Sequence, residues 1–195
     1  LWQHWNANRI YSEGEHYAVE NQSLSLEAES AMRTISGEGP DWFMASTEVN
    51  YSGTGYMTSS SEGFDSGLVP TGSRLSWDVE FDAPGVYWIW VRMLQHGESS
   101  NSIHVGLDGS LQVTARELSG TFSNEWSWVN SFIHQSMPVR AYLNITTAGH
   151  HTVDVWVKES GVDFDRLELT TSQTWTPSNG PPANFSTPSP LWNDL

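Results

Sequence analysis

Residues 75–92 read "LSWDVEFDAPGVYWIWVR". In the first half, Leu75, Trp77, Val79 and Phe81 alternate with Ser76, Asp78 and Glu80, the period-two pattern of a strand with one buried face. "DAPG" supplies turn chemistry. The second half, "VYWIWV" (Val86–Val91), is apolar throughout but has strand length, well short of the roughly 18 apolar residues of a membrane span. Trp88 and Trp90 share a face, so both belong to the core or both line an outer sheet surface. Two strands joined by a tight turn, with no 3.6-residue apolar stripe nearby, predict antiparallel β structure.

The same punctuation recurs outward in both directions. "SLSLEAES", "STEVNY", "GYMTSS", "SIHVGLDG", "LQVTAREL", "WSWVNSFI", "VRAYLNITTAG", "HHTVDVWVKES" and "VDFDRLELTT" all read as strands between turn clusters. In "HTVDVWV", Val153, Val155 and Val157 again take one face. This pattern over about 150 residues predicts an all-β fold, an antiparallel β-sandwich. Residues 1–23 form an N-terminal extension packed on the domain or leading into it, and residues 24–173 form the sandwich. Residues 174–195 hold five of the nine prolines among Ser, Thr and Asn, and read as a linker or tail to a further module.

Composition narrows the function. Twenty-three acidic residues against eight basic ones give a net charge of −15, which disfavours nucleic acid and anionic membranes as partners. The absence of cysteine excludes disulfides and thiol catalysis. No secretory leader is visible, which fits a mature secreted protein or an excised module. The chain has no G-x-S-x-G, no H-E-x-x-H and no glycine-rich phosphate loop, so binding is expected rather than turnover.

Two constellations carry chemistry. Glu27 and Glu29 in "LEAES" fall on one strand face, as do Asp163 and Asp165 in "VDFDRLEL". First and last strands of a sandwich commonly lie side by side, so these carboxylates either converge on Ca²⁺, which takes 6–8 oxygen ligands, or decorate solvated strand faces. The second constellation is aromatic. Eleven tryptophans exceed what a core of this size needs, and rings that stack on a pyranose, flanked by polar side chains, make a sugar site. Trp42 in "GPDWF", Tyr51 and Tyr56 in "NYSGTGYM", and Trp126 in "NEWSW" are candidate platforms. Arg92, His96, Asn101, Lys158 and Glu159 are candidate hydroxyl or carboxylate partners. Trp128, one pleat beyond Trp126, is expected in the core. His150-His151 reads as an ordinary strand-entry pair.

From Leu24 to Thr171 the chain resembles the calcium-dependent carbohydrate-binding modules of families 6 and 35. "LEAES", "GTGYM", "LSWDVEFDAPGVYWIWVR", "IHVGLDG", "EWSWVN", "GHHTVDVWV" and "VDFDRLELT" occur in the order those families show. The resemblance implies a jelly-roll sandwich with a structural Ca²⁺ on Glu27, Glu29 and Asp165. It also implies a sugar site built from Tyr56, Trp126 and the "KESGVD" loop with Asp163. The expected protein is a monomeric, secreted, non-catalytic module, covalently linked to a catalytic domain and binding a polysaccharide, an anionic or algal one being plausible. Two alternatives remain open: a lyase or hydrolase using His96 with Arg92 and Tyr56, and an adhesive module that contacts protein. The insertion "ISGEGPDWFMASTEVNYS" and the loop "LQHGESSNS" depart from the family pattern and reshape the site.

Overall fold

A computed structural model describes residues 15–61, 63–119, 125–134, 137–178 and 187–188. The chain folds as an antiparallel β-sandwich of jelly-roll type. One seven-stranded sheet has at its centre β6 (Arg74–Phe81), β15 (Gly149–Val157) and β8 (Ser102–Leu107). Outside these lie β1 (Tyr17–Ala18), β3 (Arg33–Ile35), β9 (Ser110–Leu111) and β10 (Leu118–Ser119). The other is built on β7 (Gly85–Leu94) and β16 (Asp163–Thr170), flanked by β2 (Ser23–Glu27), β5 (Tyr56–Ser59), β4 (Trp42–Ala45), β11 (Ser127–Val129) and β14 (Tyr142–Ile145). A separate hairpin pairs β12 (Ser131–His134) with β13 (Met137–Arg140).

The two halves of "LSWDVEFDAPGVYWIWVR" become β6 and β7, one in each sheet, so the "DAPG" connection crosses between layers rather than closing a hairpin. Leu75, Trp77, Val79 and Phe81 from β6, with Val153, Val155 and Val157 from β15, meet Tyr87, Ile89, Val91, Leu167 and Leu169 from the other sheet in one core. Its aromatic centre is Phe164, set edge-on to Trp77 with ring centroids 6.4 Å apart and tilted to Trp42 at 6.3 Å. Strands β2 and β16 lie side by side, Glu27 opposite Arg166 and Ser25 opposite Glu168.

Several segments differ from the expected strands: "WSWVNSFI" and "VRAYLNITTAG" are each divided between the second sheet and the separate hairpin. "STEVNY" is a bent loop that turns at Asn50, whose φ is +66°. "LQVTAREL" is interrupted by a 3-10 turn at Val113–Ala115 and by Glu117 at φ +56°. "LEAES" leaves β2 at Glu27 and makes a 3-10 turn over Ala28–Ser30, so Glu29 does not continue the strand. The tail is not detached where it is described: the Gln173 carbonyl accepts from Arg140 Nη1, and the Ser178 carbonyl accepts from Trp128 Nε1 at 3.2 Å.

Candidate functional site

The decisive local feature is a β-bulge in β16. Phe164 pairs with Met93 and Arg166 with Arg92, leaving Asp165 as the extra residue. Phe164 therefore points into the core, and Asp163 and Asp165 on either side of it meet different partners. Asp165, fully buried, accepts from the Ser52 backbone N–H (2.8 Å), the Ser52 hydroxyl (2.8 Å) and Arg92 Nη1 (2.7 Å). Arg92 Nη2 also donates to the Asn50 carbonyl at 2.9 Å, so the loop that failed to become a strand is clamped onto the sheet.

Glu27 and Glu29 converge on the same loop. The Ser52 hydroxyl, shared with Asp165, lies 2.8 Å from Glu27 Oε2, and Glu29 Oε1 accepts from Thr54 N–H at 2.7 Å. Between them Gly53 sits at φ +65°, so close that a Cβ there would lie 2.1 Å from Glu29 Oε1. Burial pushes the Glu27 carboxyl up to about 8, against the lowering effect of Ser52, and raises Glu29 as well. The donor set suits a hard cation in part. Glu27 Oε1 and Glu29 Oε2 are buried without a hydrogen-bond partner, the former with Arg166 Nη1 still 3.9 Å away, while both Asp165 oxygens are engaged by Ser52 and Arg92.

Of the expected sugar-site residues, Tyr56, Arg92 and Trp126 come together. The Tyr56 and Trp126 rings meet edge-on at 5.3 Å, Arg92 lies over the Trp126 ring at 5.5 Å, and Tyr51 packs on Tyr56 at 5.7 Å. Trp126 is half-buried and donates to the Val49 carbonyl at 2.9 Å, whereas Tyr56 is buried and its hydroxyl is 3.0 Å from Thr47. His96 Nε2 sits 2.8 Å from Asp163, whose carboxyl is raised by burial despite hydrogen bonds from Thr58 and His96. Lys158, Glu159 and Asn101 form a different cluster at the end of β15. Lys158 Nζ contacts Asp65 (3.0 Å), Glu159 (3.3 Å) and Glu117 (3.6 Å), and Glu159 Oε2 accepts from Asn101 N–H (3.0 Å) and the Ser102 hydroxyl (2.8 Å). His104 beside them is pushed down to about 4 by burial and by Lys158. Its Nδ1 accepts from Glu117 N–H, so the neutral ring donates from Nε2 to Ser66.

Two tryptophans change roles. Trp42 is 1% exposed, lies in β4 and donates Nε1 to the Ser73 carbonyl at 3.0 Å. A ring enclosed on both faces has no surface for a sugar, so Trp42 is core. Trp128 is the converse: half-buried, it lies under the Arg166 guanidinium at 4.9 Å on the outside of the sheet.

The sequence left Trp88 and Trp90 undecided and did not single out Arg140. Trp88 and Trp90 are half-buried on the outer face of β7, and the Arg140 guanidinium lies over both rings, at 5.2 and 5.3 Å. Arg140 Nε and Nη2 are buried with no hydrogen-bond partner. Trp90 stands opposite Glu168, which burial raises to about 7 although Arg166 Nε is 3.1 Å away and the Ser25 hydroxyl donates at 2.9 Å. The outer face of this sheet is thus a layer of indoles interleaved with guanidinium groups. Alternation in "VYWIWVR" was the available signal, but only the register shows which face is outer.

The architecture is that of the β-sandwich carbohydrate-binding modules. It is similar to a family 35 module from Clostridium thermocellum (TM-score 0.51, 15% identity, 77% of this chain and 98% of that one). It is also similar to the structure of a Podospora anserina β-1,4-mannanase of glycoside hydrolase family 26 with a family 35 module (TM-score 0.53, 18% identity, 81% of this chain and 29% of that one). These likenesses show the fold. The chain belongs to the family described as the glycosyl hydrolase family 115 C-terminal domain, whose profile matches residues 16–183. It is also 32% identical over 108 residues to uncharacterized protein P23 of Formosa agariphila. That match covers 53% of this chain and 26% of P23, so the chain spans about a quarter of the relative's length.

Proposed function

We propose that the chain is a non-catalytic, secreted module that binds an acidic polysaccharide and is carried by a larger carbohydrate-active enzyme. Membership of a glycosyl hydrolase C-terminal domain family supports the attachment, and the shared fold with family 35 modules supports sugar binding. The observation that carries the reading is the outer face of β7, where the half-buried rings of Trp88 and Trp90 flank the guanidinium of Arg140. Indoles present apolar area to a pyranose ring, and the positive charge of a guanidinium between them favours a carboxylate or sulfate. Trp126 with Arg92 and His96 extends the same chemistry toward the loops. Tethering such a face to a catalytic domain raises that domain's effective concentration on its substrate.

A structural Ca²⁺ belongs to the proposal. Glu27 and Glu29 would hold it, and Asp165 would join them where the Ser52 hydroxyl gives way. The ion neutralises carboxylates that burial otherwise penalises.

Calorimetry with oligouronates from alginate and polygalacturonate, beside neutral manno-oligosaccharides, tests the reading. The wild type is expected to bind the uronates, and Trp90→Ala, Arg140→Ala and Trp126→Ala each to weaken binding about tenfold or more, the loss of a stacked ring or a charge-assisted contact. No binding to any saccharide, or binding unchanged in all three variants, would overturn it. Adding Ca²⁺ to chelator-treated protein is expected to raise the melting temperature by about 5 °C at a hundredfold excess over Kd, and not in Glu29→Gln.

A further inference from the structure

The other sheet carries a separate constellation that the sugar-binding reading does not use. Glu80 on β6 stands between two neighbours: Ala18 on β1 and His150 on β15 are its register partners. His16, just ahead of β1, places Nε2 3.0 Å from Glu80 Oε2, and the His16 and His150 rings meet edge-on at 5.0 Å. Three adjacent strands thereby bring two imidazoles and a carboxylate to one spot, with one ligating atom from each residue lying within 4.8 Å of the others.

The chemistry of this set differs from that around Glu27. Two nitrogens and one oxygen suit a borderline ion of the first transition row rather than Ca²⁺, which takes oxygen ligands. Bonds of about 2.0–2.2 Å to Zn²⁺ in tetrahedral geometry leave ligand atoms roughly 3.3–3.5 Å apart, so rotation of the exposed Glu80 and His150 side chains by about an ångström closes the set on His16. His16 and His150 border a cavity of about 310 Å³ whose wall also includes Glu15, Asp78, Asp108 and His151. Glu15, on the same wall, has its Oε2 buried without a hydrogen-bond partner but is not part of the close set. His151 is not available in the same way: its Nδ1 faces Asp108 at 2.7 Å and its Nε2 faces the Thr147 carbonyl at 2.9 Å.

We infer that His16, Glu80 and His150 form a Zn²⁺ site that fastens the entering strand β1 to β6 and β15. Strand β1 is two residues long and pairs in parallel with β6, so the sheet itself holds it weakly. An ion bridging three strands supplies the missing restraint, and its binding free energy adds to folding.

Titration of the tag-free, chelator-stripped chain with ZnCl₂ by calorimetry tests this. One saturable ion per chain is expected, with affinity falling about tenfold or more in His150→Ala, in His16→Ala and in Glu80→Gln, at least the loss seen when only an outer-shell partner of a metal ligand is removed. Co²⁺ in place of Zn²⁺ is expected to give the visible absorption of a low-coordinate site in the wild type and not in His150→Ala. His150 and Glu80 are exposed, and an unchanged circular dichroism spectrum confirms that the variants fold. No saturable Zn²⁺ binding, or binding that survives all three substitutions, would overturn the assignment.

Discussion

The two sheets share one interior and have opposite exteriors. Outside the first, charges meet in pairs at or near the surface: Arg33 with Asp78, His16 with Glu80, His151 with Asp108, and Arg74 reaching the buried Asp154. Outside the second, Trp88, Trp90, Trp126 and Trp128 cover the backbone and the charges are sunk among them: Arg92 on Asp165, and Arg166 between Glu27 and Glu168. The difference teaches that one strand pattern builds two kinds of surface. Whether the outward residues are short and charged or broad and aromatic decides if a charge stays in water or loses it, and with that what the ion pair contributes.

The largest expected effect comes from separating a submerged pair. Asp165→Ala leaves Arg92 buried without its carboxylate and is expected to cost about 3–5 kcal/mol in urea unfolding. A loss below about 1 kcal/mol would place Asp165 on the same footing as the pairs of the first sheet. Next is pH. The Glu168 carboxyl rises from 4.5 to about 7, chiefly through burial, so the folded state keeps its proton to higher pH than the unfolded chain. Its stabilising contribution is complete below about pH 4.5 and is lost as pH rises through 7, a change on the order of 3 kcal/mol at most. Melting temperatures from pH 4.5 to 8 are expected to fall more steeply for the wild type than for Glu168→Gln, and parallel curves would refute the account. The smallest effect belongs to the first sheet. Arg33 and Asp78 are partly exposed, and Arg33→Ala is expected to cost no more than about 1 kcal/mol and to lose most of that in high salt.

Period-two alternation set which residues of β6 and β15 face inward, because burying one face of a pleated strand leaves no other arrangement for Leu75, Trp77, Val79 and Phe81. The common adjacency of first and last strands in a sandwich placed β2 beside β16, where Glu27, Glu29 and Asp165 meet one loop. Alternation assumes an unbroken pleat, and the bulge at Asp165 breaks the register with β7 without any residue's identity announcing it. Nor does a single tryptophan declare its side. Trp42, set among Gly, Pro and Asp, is core because β4 pairs with β5 and turns the ring inward, while Trp128 is half-buried and packs against the buried Arg166 from outside.

The sequence by itself determined the sandwich and its inward faces, since these follow from the local period and from the residues' own polarity. Tertiary structure alone decided what lies on the outer faces. Arg140 reaches Trp88 and Trp90 from another strand, and His16 meets Glu80 and His150 across 64 and 134 residues of chain. Contacts of that span depend on sheet order and register, which no local pattern encodes.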